Sequence, residues 1–372
     1  MWDVVVVGAG PAGATAALAA RRARPGTRVL LLDRCDFPRD KVCGDGVAPH
    51  VLDVVQALGV TGLVDDRVPV RALQLARGAQ TAERDMRRPA WVVPRQVLDA
   101  RLVDAAVAGG VELRRHRVRS VAVRREGVVL DDALEARVVV AADGAHSVVR
   151  GATGLRPPAR RALALRAYAP TRESVRGRQV IRFGQQRQPS YAWAFDRGDG
   201  WSNIGYGEVL SDARSAPSRS GMTAALEALL PGAAEGASQW RAHHLPLSSA
   251  RWQQPDGRVL LTGDAASLVN PMTGEGIFYA VATGAIAGRC AVTGPAEAAG
   301  RRHREAVRRL LATHLRHTAL VSHLLPVPGV LAGGLRAAAA DQRVFDDLVE
   351  LGLGRGRVTP AVVAGVVRHL LG

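Results

Sequence analysis

The chain has 372 residues, 47% of them hydrophobic and 23% charged, a balance that excludes a disordered tail, a coiled coil and a disulfide-stapled mini-scaffold, and leaves room for more than one domain. Arginine and lysine total 50 against 34 acidic residues, a net charge of +16, yet Lys41 is the only lysine and aromatics are 4%, so this is an arginine bias and not a nucleic-acid surface. Attraction to anionic ligands or lipid head groups stays open.

Residues 3–7 form a β-branched run, 8–13 a glycine turn, 14–24 an alanine-rich helix and 28–32 a second apolar strand, together one βαβ unit. The turn is Gly8-Ala9-Gly10-Pro11-Ala12-Gly13, and Asp33 closes the second strand. In this setting Gly8 permits the tight turn and Gly10 clears the approach of a pyrophosphate. Gly13 lets helix and strand pack closely, and the helix N-terminus attracts phosphate charge. Asp33 suits the two hydroxyls of an adenosine ribose, which favours FAD or NAD over NADP.

Residues 71–93 read as strands and 94–107 as a helix led by Arg95. Residues 111–140 hold short strands that end in a buried run closed by Ala142-Asp143-Gly144. Eight of the fifteen aromatic residues fall between positions 168 and 240, and the alternation Tyr191-Ala192-Trp193-Ala194-Phe195 puts three rings on one strand face. Pro157-Pro158 reads as a crossover between domains, and His243-His244 as solvated or core histidines. A strand at 258–261 ends in Gly263-Asp264, and Asn270 to Gly276 form a glycine-proline loop entering a helix near Ile277. Helices then run to the last residue. Cys35, Cys43 and Cys290 lack the spacing of a disulfide framework or a zinc site, so no metal is expected and a reducing cytoplasm is. No signal-peptide core precedes the first strand. Residues 319–335, the most apolar stretch, contain His323, Pro326 and Pro328; they cannot span a bilayer comfortably but could lie on one or pack over a cavity.

Four motifs in this order, Gly8 to Gly13 with Asp33-Arg34, Arg95 on a helix, Ala142-Asp143-Gly144, and Gly263-Asp264, resemble the FAD-binding set of para-hydroxybenzoate-hydroxylase-like flavoproteins. Within that superfamily, residues 37–46 with Lys41-Val42-Cys43-Gly44, and Asn270-Pro271-Met272-Thr273-Gly274-Glu275-Gly276-Ile277, are similar to the geranylgeranyl reductase family. The resemblance implies a Rossmann-like α/β FAD-binding domain from residues 1–70, 92–155 and 251–300. It also implies an inserted antiparallel β-sheet substrate domain from 71–91 and 156–250, and a helical region from 301 to 372. Residue by residue, Asp33 would hold the adenosine ribose, Arg34 lie near the adenine, Arg95 face the phosphates and Asp264 bind the ribityl and pyrophosphate region. Gly274, Glu275 and Gly276 would bring backbone N–H groups and a helix N-terminus to the isoalloxazine. Cys43 would sit beside the flavin, Asp143 would touch flavin and nicotinamide, and Lys41 stands out as the one lysine in an arginine-biased chain.

Such a set implies FAD, with NAD(P)H as reductant, but leaves the reaction open. One reading is reduction of carbon–carbon double bonds of a hydrophobic isoprenoid, with Tyr191 and Trp193 lining the path; Asp196 stands where the family pattern Tyr-x-Trp-x-Phe-Pro has proline. The alternative is a monooxygenase acting on an apolar or aromatic substrate. A halogenase is disfavoured because its Trp-x-Trp-x-Ile-Pro stretch and its lysine outside the FAD motif are missing. A non-redox reading keeps FAD as a structural element in a ligand-binding or membrane-peripheral protein. Oligomeric state is not legible.

Overall fold

A computed structural model describes residues 1–156, 160–186, 188–210 and 216–371; the Pro157-Pro158 crossover lies outside the described residues. The chain opens with β1 (Trp2–Val7), α1 (Pro11–Ala23) and β2 (Val29–Asp33), then β3 (Gly46–Val47) and α2 (Pro49–Gln56). A long hairpin follows, β4 (Val70–Arg77) and β5 (Gln80–Val92), and then α3 (Arg95–Ala108). Short strands β6 (Glu112–Arg115), β7 (Val121–Val123) and β8 (Val128–Leu130) precede β9 (Leu134–Ala141) and α4 (Val148–Ala152). The middle of the chain is β10 (Arg161–Pro170), β11 (Arg178–Phe183), β12 (Ser190–Asp196), β13 (Trp201–Val209), α5 (Arg219–Leu229) and β14 (Ser238–Pro246). Then come β15 (Val259–Leu261), α6 (Ile277–Val292), α7 (Ala299–Leu324), α8 (Val330–Ala340), α9 (Gln342–Leu353) and α10 (Pro360–Leu371).

Two sheets organise these elements. The first runs β6-β2-β1-β9-β8-β7, with β15 also paired to β9; β6, β2, β1, β9 and β15 are parallel and the β7–β8–β9 run is antiparallel. Val4 to Val6 and Leu30 to Leu32 are fully buried, as both faces of a covered parallel sheet require. Helix α1 is rich in alanine because α6 lies almost against its backbone. A Cβ on Gly284 would come within 2.2 Å of the Ala12 carbonyl oxygen, and one on Gly288 within 2.1 Å of that of Ala16. The glycines of α6 therefore fix the helix spacing that places Gly8 to Gly13.

The second sheet runs β14-β10-β13-β12-β11-β4-β5-β3. It is antiparallel except at β11–β4, where the chain returns from a distant segment and pairs in parallel. Ala192, Ala194, Ile204 and Tyr206 pack on its back against Met222 and Leu226 of α5. The front faces a cavity, over which the C-terminal helices lie. Helix α8 seats on β5, where Arg84 donates to the terminal carbonyls of Ala338 (2.9 Å) and Ala339 (2.6 Å), and Phe345 of α9 is buried with Leu73, Met86 and Ala90.

Candidate active site

One cavity of about 1000 Å³ runs between the sheets, from Gly8, Gly10 and Asp33 at one end, past Cys43, Tyr191, Trp193 and Gly274, to the apolar faces of α7, α8 and α10. Its narrow polar end is built at the tip of β1. Gly8 has φ +97°, and its Cβ would fall 2.3 Å from the Ala142 carbonyl oxygen; a Cβ on Gly13 would fall 1.7 Å from the Gly8 carbonyl oxygen. Pro11 and Ala12 begin α1. The Asp33 carboxylate accepts from the backbone N–H of Ala9 (2.9 Å) and Cys35 (3.0 Å), so it is held at the end of β2 facing the turn. Arg34, exposed, lines the outer rim.

Two guanidinium groups bracket the helix N-terminus. Arg95 is buried and forms a two-pronged pair with Asp99 (2.6 and 2.8 Å), which outweighs the burial that would otherwise lower its pKa. Arg39 bridges Asp99 (3.3 Å) and Asp33 (3.4 Å). A Cβ at Gly10 would be 3.6 Å from the Arg39 guanidinium and 3.8 Å from that of Arg95, so the missing side chain leaves a positively lined niche over α1. Arg39 belongs to the motif at 37–46, but no local pattern singles it out there.

Lys41 pairs with Asp264 at 3.3 Å across 223 residues of chain. Burial works to raise Asp264, but Lys41 and His243 outweigh it and hold the carboxylate below its usual range. Gly263, with φ +50°, precedes it at the end of β15. His243 was expected to be solvated or core; instead it lines the cavity, with Nε2 buried and unpaired among the described residues. Burial, then the Lys41 charge, lowers its pKa to about 4. His244, on the opposite face of β14, turns its ring toward His146.

Around the middle of the cavity a buried network joins the cysteine loop to the aromatic strand. Asn203 donates to the Cys43 carbonyl (2.9 Å) and to Asp45 (2.8 Å), and accepts from the Trp193 indole N–H (2.8 Å). Tyr168 donates to Asp45 at 2.6 Å. Burial pushes Asp45 up to about 6, against the opposing Tyr168 hydrogen bond, and burial also raises the Cys43 thiol. The loop lies on the strand at Gly44, where a Cβ would be in contact with the Phe195 ring at 3.4 Å. Asp45 lies in the motif at 37–46 without a role read for it, and Tyr168 and Asn203 carry no motif that sequence reading could have used.

On the opposite side, Tyr191 donates to the Thr273 carbonyl, and Gly274 takes φ +70° beneath the Tyr191 hydroxyl. The Gly274 N–H, expected to face the flavin, instead donates to the Asn270 carbonyl at 2.9 Å, because the loop closes on itself before α6. Glu275 accepts from the Phe278 N–H (2.8 Å) and caps α6 behind Gly276 and Ile277; burial raises it to about 7. Asp143 lines the cavity, yet its carboxylate is committed to Ser147 (2.6 Å) and the N–H groups of Val148 and Val149 at the head of α4. No group of metal-binding side chains occurs among the described residues.

Residues 1–285 match the FAD binding domain family. The chain is 33% identical over 322 residues to a menaquinone reductase of Mycolicibacterium smegmatis, covering 78% of this chain and 76% of that one. It is 31% identical over 306 residues to digeranylgeranylglycerophospholipid reductase 1 of Methanopyrus kandleri, covering 78% and 80%. This chain belongs to the geranylgeranyl reductase family of FAD-binding flavoproteins. The fold is shared with a geranylgeranyl bacteriochlorophyll reductase-like protein of Thermoplasma acidophilum at a TM-score of 0.75 and 17% identity, over 99% of this chain and 96% of that one. As a family member the chain is an FAD-dependent oxidoreductase, and the niche over α1, ringed by Arg39, Arg95 and Asp33, fits the dinucleotide's charge and ribose. The expected α/β fold with a second sheet and a helical C-terminal region is the one observed.

Proposed function

We propose that this flavoenzyme reduces carbon–carbon double bonds of a long isoprenoid chain, with NAD(P)H as the source of electrons. The single observation that carries the reading is the continuity of the cavity, from the charged niche over α1, past the aromatic strand, into an apolar channel under α7, α8 and α10. A hydrocarbon chain needs such a channel, whereas a small aromatic substrate does not. Bound FAD would supply the hydride. In this reading Asp33, Arg39 and Arg95 hold the dinucleotide, and Lys41 with Asp264 faces its ribityl and phosphate region. Cys43 and Gly44, lying on the aromatic strand, shape one wall beside the reacting bond together with Trp193. Tyr191, through Thr273, fixes the loop that carries Gly274, Glu275 and Gly276. The protein's share is orientation and exclusion of water. The names of the relatives support an isoprenoid substrate class. The test is anaerobic reduction of the purified protein with NADPH, followed by a dispersed polyprenyl substrate or by air. Reoxidation by the polyprenyl compound without oxygen, with a saturated product, is the expected result. A protein that stays reduced with that substrate but oxygenates an apolar compound in air is instead a monooxygenase.

A further inference from the structure

The apolar end of the cavity is open. Leu324 of α7 and Val363, Val367 and Leu370 of α10 line it, yet each is between 42% and 51% exposed, so they form its mouth. Two more apolar side chains that do not line the cavity extend this rim outward, Leu320 (56% exposed) and Val327 (47%). The pieces are adjacent: His317 of α7 accepts from the Val358 N–H at 3.0 Å just before α10, and a Cβ on Gly329 would meet Leu370 at 2.7 Å. Exposed aliphatic side chains gathered around a cavity entrance mark a surface that meets an apolar phase.

Charge identifies that phase. Residues 306–372, the helices among which the rim lies, contain eight arginines (positions 308, 309, 316, 336, 343, 355, 357 and 368) against four acidic residues, all in or capping α9; Arg316 lies one turn before Leu320, and Arg368 lies beside Val367 and Leu370. These acidic residues are hydrogen-bonded and keep their charge, but they are outnumbered two to one by the arginines around them. Asp341 caps α9 (2.8 Å to the Arg343 N–H), Asp346 binds Gln342 (2.9 Å), Asp347 binds Thr359 (2.6 Å) and Glu350 binds His50 (2.9 Å). We infer that this rim is a docking surface for an anionic lipid bilayer, placed so that a membrane-dissolved isoprenoid enters the cavity directly while the rest of its chain stays in lipid. A second copy of the chain is the poorer occupant, because it would juxtapose two arginine-rich faces and close the mouth. No helix among the described residues is long and apolar enough to cross a membrane, so the contact is peripheral.

The inference deepens the isoprenoid reading, and its test is independent of turnover. The FAD-loaded full chain is floated with vesicles of phosphatidylcholine alone or mixed with phosphatidylglycerol. Flotation with the mixed vesicles, weakening as salt is added, is expected. Combining Leu320→Glu and Val327→Glu, neither of which lines the cavity, is expected to cut the floated fraction by about tenfold or more while flavin content and reduction by NADPH stay unchanged. Should that variant fold poorly, Arg316→Glu with Arg368→Glu tests the charge alone and is expected to abolish the preference for anionic vesicles. No flotation at low salt, equal flotation of the variants, or a dimer that the Leu320→Glu and Val327→Glu changes dissociate would each overturn the inference. A protein that floats as expected but never reduces an isoprenoid would leave the docking surface standing and remove the substrate reading.

Discussion

Asp45 takes an unfavourable backbone conformation (φ +60°) in a fully buried position, and of its two carboxylate oxygens Oδ1 has no partner among the described residues. Its ionised form is therefore costly in the folded chain, in spite of Tyr168 and Asn203. At low pH the carboxyl is protonated whether the chain is folded or not; above its raised folded pKa it is ionised in both states. The stability contribution is thus lost as pH rises from 3.8 to about 6. By linkage the loss is on the order of 3 kcal/mol. Asparagine tolerates the left-handed conformation and can still accept from Tyr168. In thermal unfolding across pH 4 to 7 (about the window that the raised pKa implies), Asp45→Asn should gain stability relative to wild type as the pH rises. A constant difference would mean that Asp45 titrates as an ordinary carboxylate and does not strain the loop that carries Cys43.

At the scale of elements, strand pairing decides where the aromatic wall stands. Trp193 on β12 lies opposite Gly205 on β13, and a Cβ at that glycine would be 2.2 Å from the indole and 2.3 Å from the Leu165 carbonyl oxygen. Gly205→Val should force the indole away from Asn203, at a cost of about 1–3 kcal/mol in stability. Turnover of an isoprenoid should fall while FAD stoichiometry holds, since nothing at the niche over α1 moves; thermal melts and flavin absorbance check both. A variant that loses flavin first would place Trp193 in the cofactor's support and not in the substrate wall. The glycine turn after β1 was legible in the sequence because every residue it needs lies within one βαβ unit, and the face of β12 was legible because it depends only on alternation. Arg39, Asn203 and His243 were not. Their partners lie far along the chain or across a sheet whose strand order, with β11 beside β4, no local pattern encodes. The same limit applied to Gly274, whose N–H the loop consumes internally.

Across the whole molecule, the cofactor-side loop and the end of α9 are fastened together by two side chains, Asn270 and Thr273. Asn270 is buried; its amide donates to the carbonyls of Leu351 (3.0 Å) and Gly352 (3.2 Å) at the end of α9, while its oxygen accepts from the Met272 N–H (3.0 Å). Thr273 adds a bond to the same Gly352 carbonyl at 2.9 Å. These contacts tie the loop that carries Gly274 and Glu275 to the helices that roof the apolar channel. Of the roof, α7 shares the core of the first sheet through Val307, Leu311 and Leu315, whereas α8, α9 and α10 do not and take their register from these bonds and the second sheet. Asn270→Ala leaves the buried Leu351 carbonyl without this donor and the Gly352 carbonyl to Thr273 alone, a loss of about 1–3 kcal/mol. Because α8 to α10 are otherwise packed on the second sheet and bonded to α2 only through the His50–Glu350 pair among the described residues, the loss should concentrate in the roof. Hydrogen exchange should quicken in α9 and α10 and in residues 270–276, while β1, α1 and β9 keep their protection. Uniform acceleration would show that the helices and the FAD-binding sheet unfold as one unit, and that Asn270 contributes to global stability and not to a latch.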